Sequence, residues 1–163
     1  MISADTPDWS REFHTGWDPG RALLASIRNY QRFVGRSNPV FRVLKVVAVV
    51  RYRFWSAISG ADIPLTTQIG GGLLIPHPNG IVIHPDAVIG PNCLIFQQVT
   101  LGIVDGGVPR IDGHVDIGAG AKLFGSIHVG EHARIGANAV VLCDVPAGAT
   151  IVGVPGRIVA RAS

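Results

Sequence analysis

The sequence predicts a mainly β chain, wound as a parallel β-helix of six-residue repeats and preceded by a short helical segment. Three observations predict it. Across 111–145 an aliphatic residue opens every block of six: Ile111, Ile117, Leu123, Val129, Ile135 and Val141. Four residues into each block stands a small or aliphatic residue: Val115, Ala121, Ile127, Ala133, Ala139 and Val145. Glycine follows the opening residue at Gly118, Gly130 and Gly136. A period of six fits neither an amphipathic helix nor an alternating strand. It fits a short strand and a corner, three such sides closing one turn of a prism. Each rung then buries its aliphatic residues against the rungs above and below.

The period continues upstream. Ile83, Ile89, Ile95 and Leu101 open blocks, with Ala87, Cys93 and Val99 at the second inward position, and Ile63, Ile69 and Ile75 keep an earlier register. The phase slips by two residues across PHPNGIV, between Ile75 and Ile83, and breaks again between Gly102 and Arg110. A disturbed register marks where the chain leaves the prism wall, and repeat proteins place function on such excursions.

Composition supports a tightly wound globular chain. At 163 residues the length prior is one domain. A hydrophobic content of 47% against 15% charged excludes intrinsic disorder. The two cysteines stand in unrelated repeats, so neither a disulfide framework nor a CxxC metal pattern exists. Cys93 reads as core and Cys143 as a corner residue, neither with a chemical role. A net charge of +3 is too small to imply a nucleic-acid partner. The opening MISADTPDWSREF lacks a basic n-region and an apolar core, so it does not read as a signal peptide, and a cytoplasmic location is the default.

In chain order, Met1 to Trp17 reads as a loose polar arm. Asp18-Pro19 is an N-cap followed by proline at the first helical position, opening a helix to about Phe33 with Leu23, Leu24, Ile27 and Tyr30 on one side. Asn38-Pro39 repeats the signal, and a second helix runs to about Ser59. Arg42, Lys45, Arg51 and Arg53 interrupt it, which rejects a transmembrane span. Its wide apolar surface reads as packing against the β-helix or a neighbouring subunit. The alternative is a basic amphipathic surface over 39–58 that touches the inner face of an anionic membrane. The chain thus divides into 1–59, an arm and two helices, and 60–163, the β-helix with a C-terminal cap in which Ile158 and Val159 plug the open core.

Three runs carry a family resemblance: ADIPLTTQIGGGLLIPHPNGIVIHPDAVIGPNCLIFQQVTLG, then IGAGAKLFGSIHVGEHARIGANAVV, then VGVPGRIV. Together, over about Ala61 to Val159, they resemble the serine acetyltransferases, hexapeptide-repeat acyltransferases with a left-handed parallel β-helix. They also resemble close relatives that acetylate sugars in surface-polysaccharide pathways. The left hand is implied by the resemblance alone. The resemblance further implies acetyl-CoA as cosubstrate, no metal, and a homotrimer with sites between walls of neighbouring subunits. The helical region is shorter than that which joins trimers into hexamers in the family.

The resemblance also implies site residues. His77, in the phase slip between Pro76 and Pro78, matches the general base that takes the acceptor hydroxyl proton, a task suited to an imidazole titrating near neutrality. Asp62, fifteen residues earlier, matches the acid that orients the base or holds a cationic acceptor; its bland reading is a capping residue before Ile63-Pro64. The backbone N–H near Gly102 matches an oxyanion donor. Ala119 and Ala137 match the small residues that let the pantetheine arm lie along the wall. Lys122, Arg134 and Arg157 are cations available to the coenzyme phosphates, each with the bland reading of a solvated surface charge. His84, on a corner, is a candidate for the acceptor pocket.

Two departures bear on the acceptor. The family carries Asp directly before the base, where this chain has Pro76, and an Arg-His pair that binds the amino-acid carboxylate, where this chain has Gly107 and Val108 in a shorter loop. Losing that charge-assisted bond removes about 1.5–3 kcal/mol for a carboxylate substrate. The expectation is therefore an acetyl-CoA-dependent O-acetyltransferase acting on a sugar of a surface polysaccharide. L-serine is the alternative acceptor, and a non-catalytic β-helix scaffold the alternative class. His114 and His132 stand one coil apart with His128 nearby, a weak metal signal because Ala119 occupies the position where a third ligand of zinc-binding β-helix enzymes would stand. Asp116 and Arg134 are also one coil apart, so the alternative for Arg134 is to stack on and pair with Asp116. The final residues Ala160, Arg161, Ala162 and Ser163 lack the apolar end with which the family binds the next enzyme of cysteine synthesis, so no such complex is expected.

Overall fold

A computed structural model describes residues 2–159; the tail expectation on Ala160 to Ser163 lies outside the described residues. Helices α1 (Pro19–Phe33) and α2 (Pro39–Ser59) precede thirteen short strands. Both helices begin as the sequence predicts. The Asp18 carboxylate accepts from the Arg21 N–H, and the Asn38 side chain from the Val40 N–H, each satisfying a free donor of the first turn. Gly60 ends α2 in the left-handed conformation with φ 66°. No described helix is long and apolar enough to cross a membrane.

The strands form three parallel walls of a prism. Wall I holds β1 (Gln68–Ile69), β3 (Val88–Ile89), β6 (Arg110–Ile111) and β9 (His128–Val129). Wall II holds β4 (Leu94–Ile95), β7 (Asp116–Ile117), β10 (Arg134–Ile135) and β12 (Thr150–Val152), with β13 (Arg157–Val159) antiparallel at its end. Wall III holds β2 (Val82–Ile83), β5 (Thr100–Gly102), β8 (Lys122–Phe124) and β11 (Val140–Val141). Asp62 bridges to Val82 and Leu74 to Leu94, extending walls III and II by one rung each.

The hexapeptide pattern is the wall pattern. Each strand points one residue in and its neighbours out, so the aliphatic openers stack in columns. Wall I stacks Ile69, Ile89, Ile111 and Val129; wall II stacks Ile95, Ile117, Ile135 and Ile151; wall III stacks Ile83, Leu101, Leu123 and Val141. All of these are buried, and full burial of each such side chain is worth about 1.5–3 kcal/mol. Undisturbed coils repeat at eighteen residues, as from Arg110 to His128. The two excursions appear as longer registers: Gln68 pairs with Val88 across the slip, and Val88 with Arg110 across the loop.

Three expectations require correction. The N-terminal arm is not loose. It makes a single 3-10 turn at Trp9–Glu12 and is pinned to the prism through buried Asn92. The Asn92 side chain accepts from the Asp8 N–H at 2.7 Å and donates to the Ser3 and Thr6 carbonyls at 2.8 Å each. Glu12 bridges Arg28 at 2.8 Å and accepts from the Gly72 N–H. The sequence concealed this because the contacts that tie the arm to the prism join residues some sixty or more positions apart. Ile158 and Val159 do not plug the core: β13 folds back along β12 at the prism surface and both side chains are exposed. Asp116 and Arg134 stack in register on wall II, yet no ion pair joins them, since neighbouring strand residues point outward side by side.

Candidate functional site

The two extra residues of the phase slip fall at the corner between walls II and III, and His77 stands at their apex, exposed between Pro76 and Pro78. Both helices hold this corner from behind. The start of α1 lies so close to Ile75 that a Cβ on Gly20 would sit 2.5 Å from the Ile75 carbonyl oxygen. At the end of α2 the Gly60 carbonyl accepts from the Gly80 N–H at 2.8 Å, and a Cβ on Gly60 would meet the Asn79 side chain. Only glycine permits either approach. The Ile81 N–H donates to the Pro78 carbonyl at 3.1 Å and closes the turn.

Asp62 lies on the first rung of wall III, its N–H donating to the Ile81 carbonyl at 2.8 Å and its carbonyl accepting from the Ile83 N–H at 2.9 Å. It shares the top coil with His77, and among the described residues no hydrogen bond or ion pair joins their side chains. Nothing in the sequence marks Tyr52, a half-buried α2 residue beside Asp62. Burial first, then the Asp62 carboxylate, pushes its phenol above the ordinary tyrosine range. Its position near Asp62 follows only from the docking of α2 on the prism. Gln97, on the same corner one coil below His77, has a buried side-chain oxygen without a hydrogen-bond partner.

Ala119 and Ala137 stack along this same corner, the Asn138 N–H donating to the Ala119 carbonyl at 2.8 Å. The result is a narrow strip of small side chains that begins two coils below His77, beneath Gln97. Lys122 starts β8 on wall III, its ammonium donating to the Gln98 carbonyl and to Thr100 Oγ1 at 3.1 Å. Arg134 is exposed on wall II, and Arg157 on β13 donates to the Gly156 carbonyl. Gly102 ends β5 on the opposite border of wall III, packed against Phe124. From there the loop leaves the wall and turns back through paired backbone bonds between Val104 and Gly107. His84 lies on that border too, its N–H donating to the Leu101 carbonyl and its ring beside Asp86.

One chain therefore sets His77, Ala119 and Ala137 along one border of wall III, with Asp62 on its first rung, and Gly102 and His84 along the other border. A cavity of about 650 Å³ lies elsewhere, between Tyr30 and Gln31 of α1 and the first rungs of wall I. Its lining is mostly backbone and uncharged side chains, so it has no group able to accept a proton at neutral pH. His128 binds Asp112 at 2.8 Å on wall I, away from His114 and His132, so the three imidazoles do not converge. Among the described residues no three His, Cys, Asp or Glu side chains cluster in a metal-holding arrangement.

Comparisons with known proteins agree with this architecture. No protein-family model matches the chain. The serine acetyltransferase of Synechococcus elongatus is 44% identical over 108 residues, which cover 64% of this chain and 44% of the relative. That of Mycobacterium tuberculosis is 40% identical over 124 residues, covering 74% of this chain and 54% of the relative. A solved serine acetyltransferase in complex with CoA superposes with a TM-score of 0.74 at 37% identity, over 88% of this chain and 58% of that one. The chain spans about half the length of the curated relatives it matches. In sequence and in its β-helix, the chain is a homologue of the serine acetyltransferases.

Proposed function

We propose that the chain is an acetyl-CoA-dependent O-acetyltransferase whose acceptor is L-serine. The observation that carries this reading is the excursion at His77: a solvent-facing imidazole, clamped by both helix ends beside Asp62, on a prism related to serine acetyltransferases. His77 takes the proton of the acceptor hydroxyl as its oxygen attacks the thioester carbonyl carbon. The carbonyl oxygen gains negative charge, which the N–H near Gly102 meets. Collapse breaks the carbon–sulfur bond, and the imidazolium returns its proton to the leaving thiolate. The strip at Ala119 and Ala137 receives the pantetheine arm of the coenzyme.

The separation of His77 from Gly102 argues that the working site needs two chains. Two copies that set wall III of one beside the His77 corner of the next bring both borders together, and three such contacts close a ring. A homotrimer and cytoplasmic residence are part of the same proposal.

The sugar acceptor expected from the short loop has less support, because the relatives described above are serine acetyltransferases. It retains one observation in its favour: the tight turn at Val104–Gly107 carries the exposed Asp105 and no cation for a substrate carboxylate. Thiol release from acetyl-CoA with L-serine, amino sugars and polysaccharide fragments in parallel tests both. Turnover with serine supports the proposal; turnover with saccharide alone replaces the acceptor; no turnover with any acceptor overturns the enzymatic reading.

A further inference from the structure

The charges of this chain are segregated. Residues 19–61 hold eight of the 14 Lys and Arg residues and none of the 11 Asp and Glu. The helices are strongly basic; four of the acids stand in the arm at 5–18 and seven in the β-helix. Arg21 pairs with Asp18 and Arg28 with Glu12. Among the described residues, Arg32, Arg36, Arg42, Lys45, Arg51 and Arg53 make no ion pair.

Helix α2 adds an apolar face to this charge. Its inward side carries buried Ala48 with Tyr52 and Trp55 packed against the core. Its outward side carries Val40, Val43, Val47, Val50, Phe54 and Ile58, each between 47% and 63% exposed. Their spacing of three and four residues lines them along one side of the helix. At about 100° per residue, with exposed Leu44 and Val46 included, they span an arc of roughly 160°. Arg42 and Arg53 border that arc on one side, and Arg51 stands at its other border. Trp17, exposed, stacks edge-on against Trp55 at 5.4 Å, and Phe54 against the same ring at 5.0 Å. Aromatic rings at the rim of an apolar stripe suit the boundary between lipid headgroups and acyl chains.

We infer that α2 lies flat on an anionic phospholipid bilayer, its apolar arc in the headgroup–acyl boundary and Arg42, Arg51 and Arg53 at the lipid phosphates. An anionic bilayer supplies both complements of this surface, an apolar layer and a dense sheet of negative charge. A two-fold contact with the α2 of a second copy supplies only the first: it sets the same arginines against themselves, and α2 has no acid to answer them. The helix lies on the surface and does not cross, because its cations interrupt every long apolar window.

Sedimentation of the full chain with lipid vesicles tests the inference. Vesicles of phosphatidylcholine with about one-third phosphatidylglycerol should bind it at least tenfold more strongly than phosphatidylcholine alone, and added salt should weaken binding. Val47→Asp with Val50→Asp should lower binding at least tenfold, as should Arg51→Gln with Arg53→Gln, each variant checked for native circular dichroism. The wild-type comparison between the two lipids needs no variant to fold. Failure to bind anionic vesicles at low salt overturns the inference, as does equal binding to both lipids. It is also overturned if Val47→Asp with Val50→Asp leaves vesicle binding intact and lowers the subunit number by light scattering, which assigns the face to a second copy.

Discussion

His114 and His132 face one another across a single coil, Nδ1 to Nδ1 at 2.6 Å, with ring centroids 4.8 Å apart and the planes steeply inclined. Two ring nitrogens this close share one proton: one ring donates and the other accepts. Both residues hold the left-handed backbone conformation, φ 53° and 59°, which the corner between walls I and II requires at every turn. Asn92 fills the same corner position one coil earlier and Gly72 the coil before that, also left-handed. The imidazoles are stacked because the corner is.

The burial of His114 makes stability depend on pH. Burial holds His114 below the ordinary histidine range; Asp116 opposes the shift, and His132, Arg11 and Arg134 add to it. Glu131 lies in the same cleft. A folded-state pKa below the unfolded value means the unfolded chain binds the proton more readily. Its stabilising contribution is present above about pH 6.5 and is lost as pH falls through the folded-state value. Urea denaturation between about pH 8 and pH 5 should show that loss in the wild type and a smaller one in His114→Asn, which tolerates the left-handed backbone. Identical pH profiles would remove His114 from the acid response.

His77→Ala should lower acetyl transfer by about 10²–10⁴-fold and leave coenzyme binding by calorimetry nearly unchanged, since the strip at Ala119 and Ala137 is intact. Asp62→Asn should lower transfer by less. Wild-type turnover in His77→Ala would show that another group takes the proton.

A site shared between chains predicts complementation. His77→Ala and Gly102→Val, each inactive alone, should regain activity when co-expressed, because mixed trimers contain sites with both borders native. With random mixing roughly a quarter of the sites are of that kind. Gly102→Val acts by collision with Phe124. Circular dichroism checks that it folds. No recovery in demonstrably mixed oligomers would place the whole site within one chain.

Asn92→Ala should destabilise the chain by about 2 kcal/mol, since it removes three hydrogen bonds to the arm and leaves a left-handed residue without its polar partners. Thermal denaturation reads the loss. Trypsin cleavage after Arg11, whose guanidinium donates to the Asn92 carbonyl, should accelerate in parallel.

Only one thiol should react with maleimide in the native chain and two in denaturant. Cys143 is exposed, whereas burial pushes Cys93 up to about 11. Two reactive native thiols would mean that the coil around Cys93 opens.

The walls were legible because each obeys a local rule. One aliphatic residue per six builds a column, so Ile111 to Val141 announced themselves without any partner being known. The excursions were legible for the same reason, since a slipped register is visible in the sequence, and the slip led to His77. The arm was not legible: Asp8, Glu12 and Asn92 are ordinary polar residues until the fold brings them together. Tyr52 beside Asp62 and the division of the site across wall III have the same origin. The period says that His77 and Gly102 leave the wall; only the three-sided closure says that they leave at opposite borders.

The reversal at the end of the prism has a consequence for solution behaviour. Every coil templates the next through open backbone groups, so a parallel ladder has no inherent last rung and invites end-to-end polymerisation. Here β13 lies antiparallel on β12, and the turn before it occupies the last rung of wall III: the Val140 N–H donates to the Gly153 carbonyl, and the Val140 carbonyl accepts from the Gly156 N–H at 2.7 Å. A further coil docking in parallel meets a strand of the wrong direction on one wall and spent hydrogen-bond groups on another. A fibre therefore cannot nucleate on those two walls.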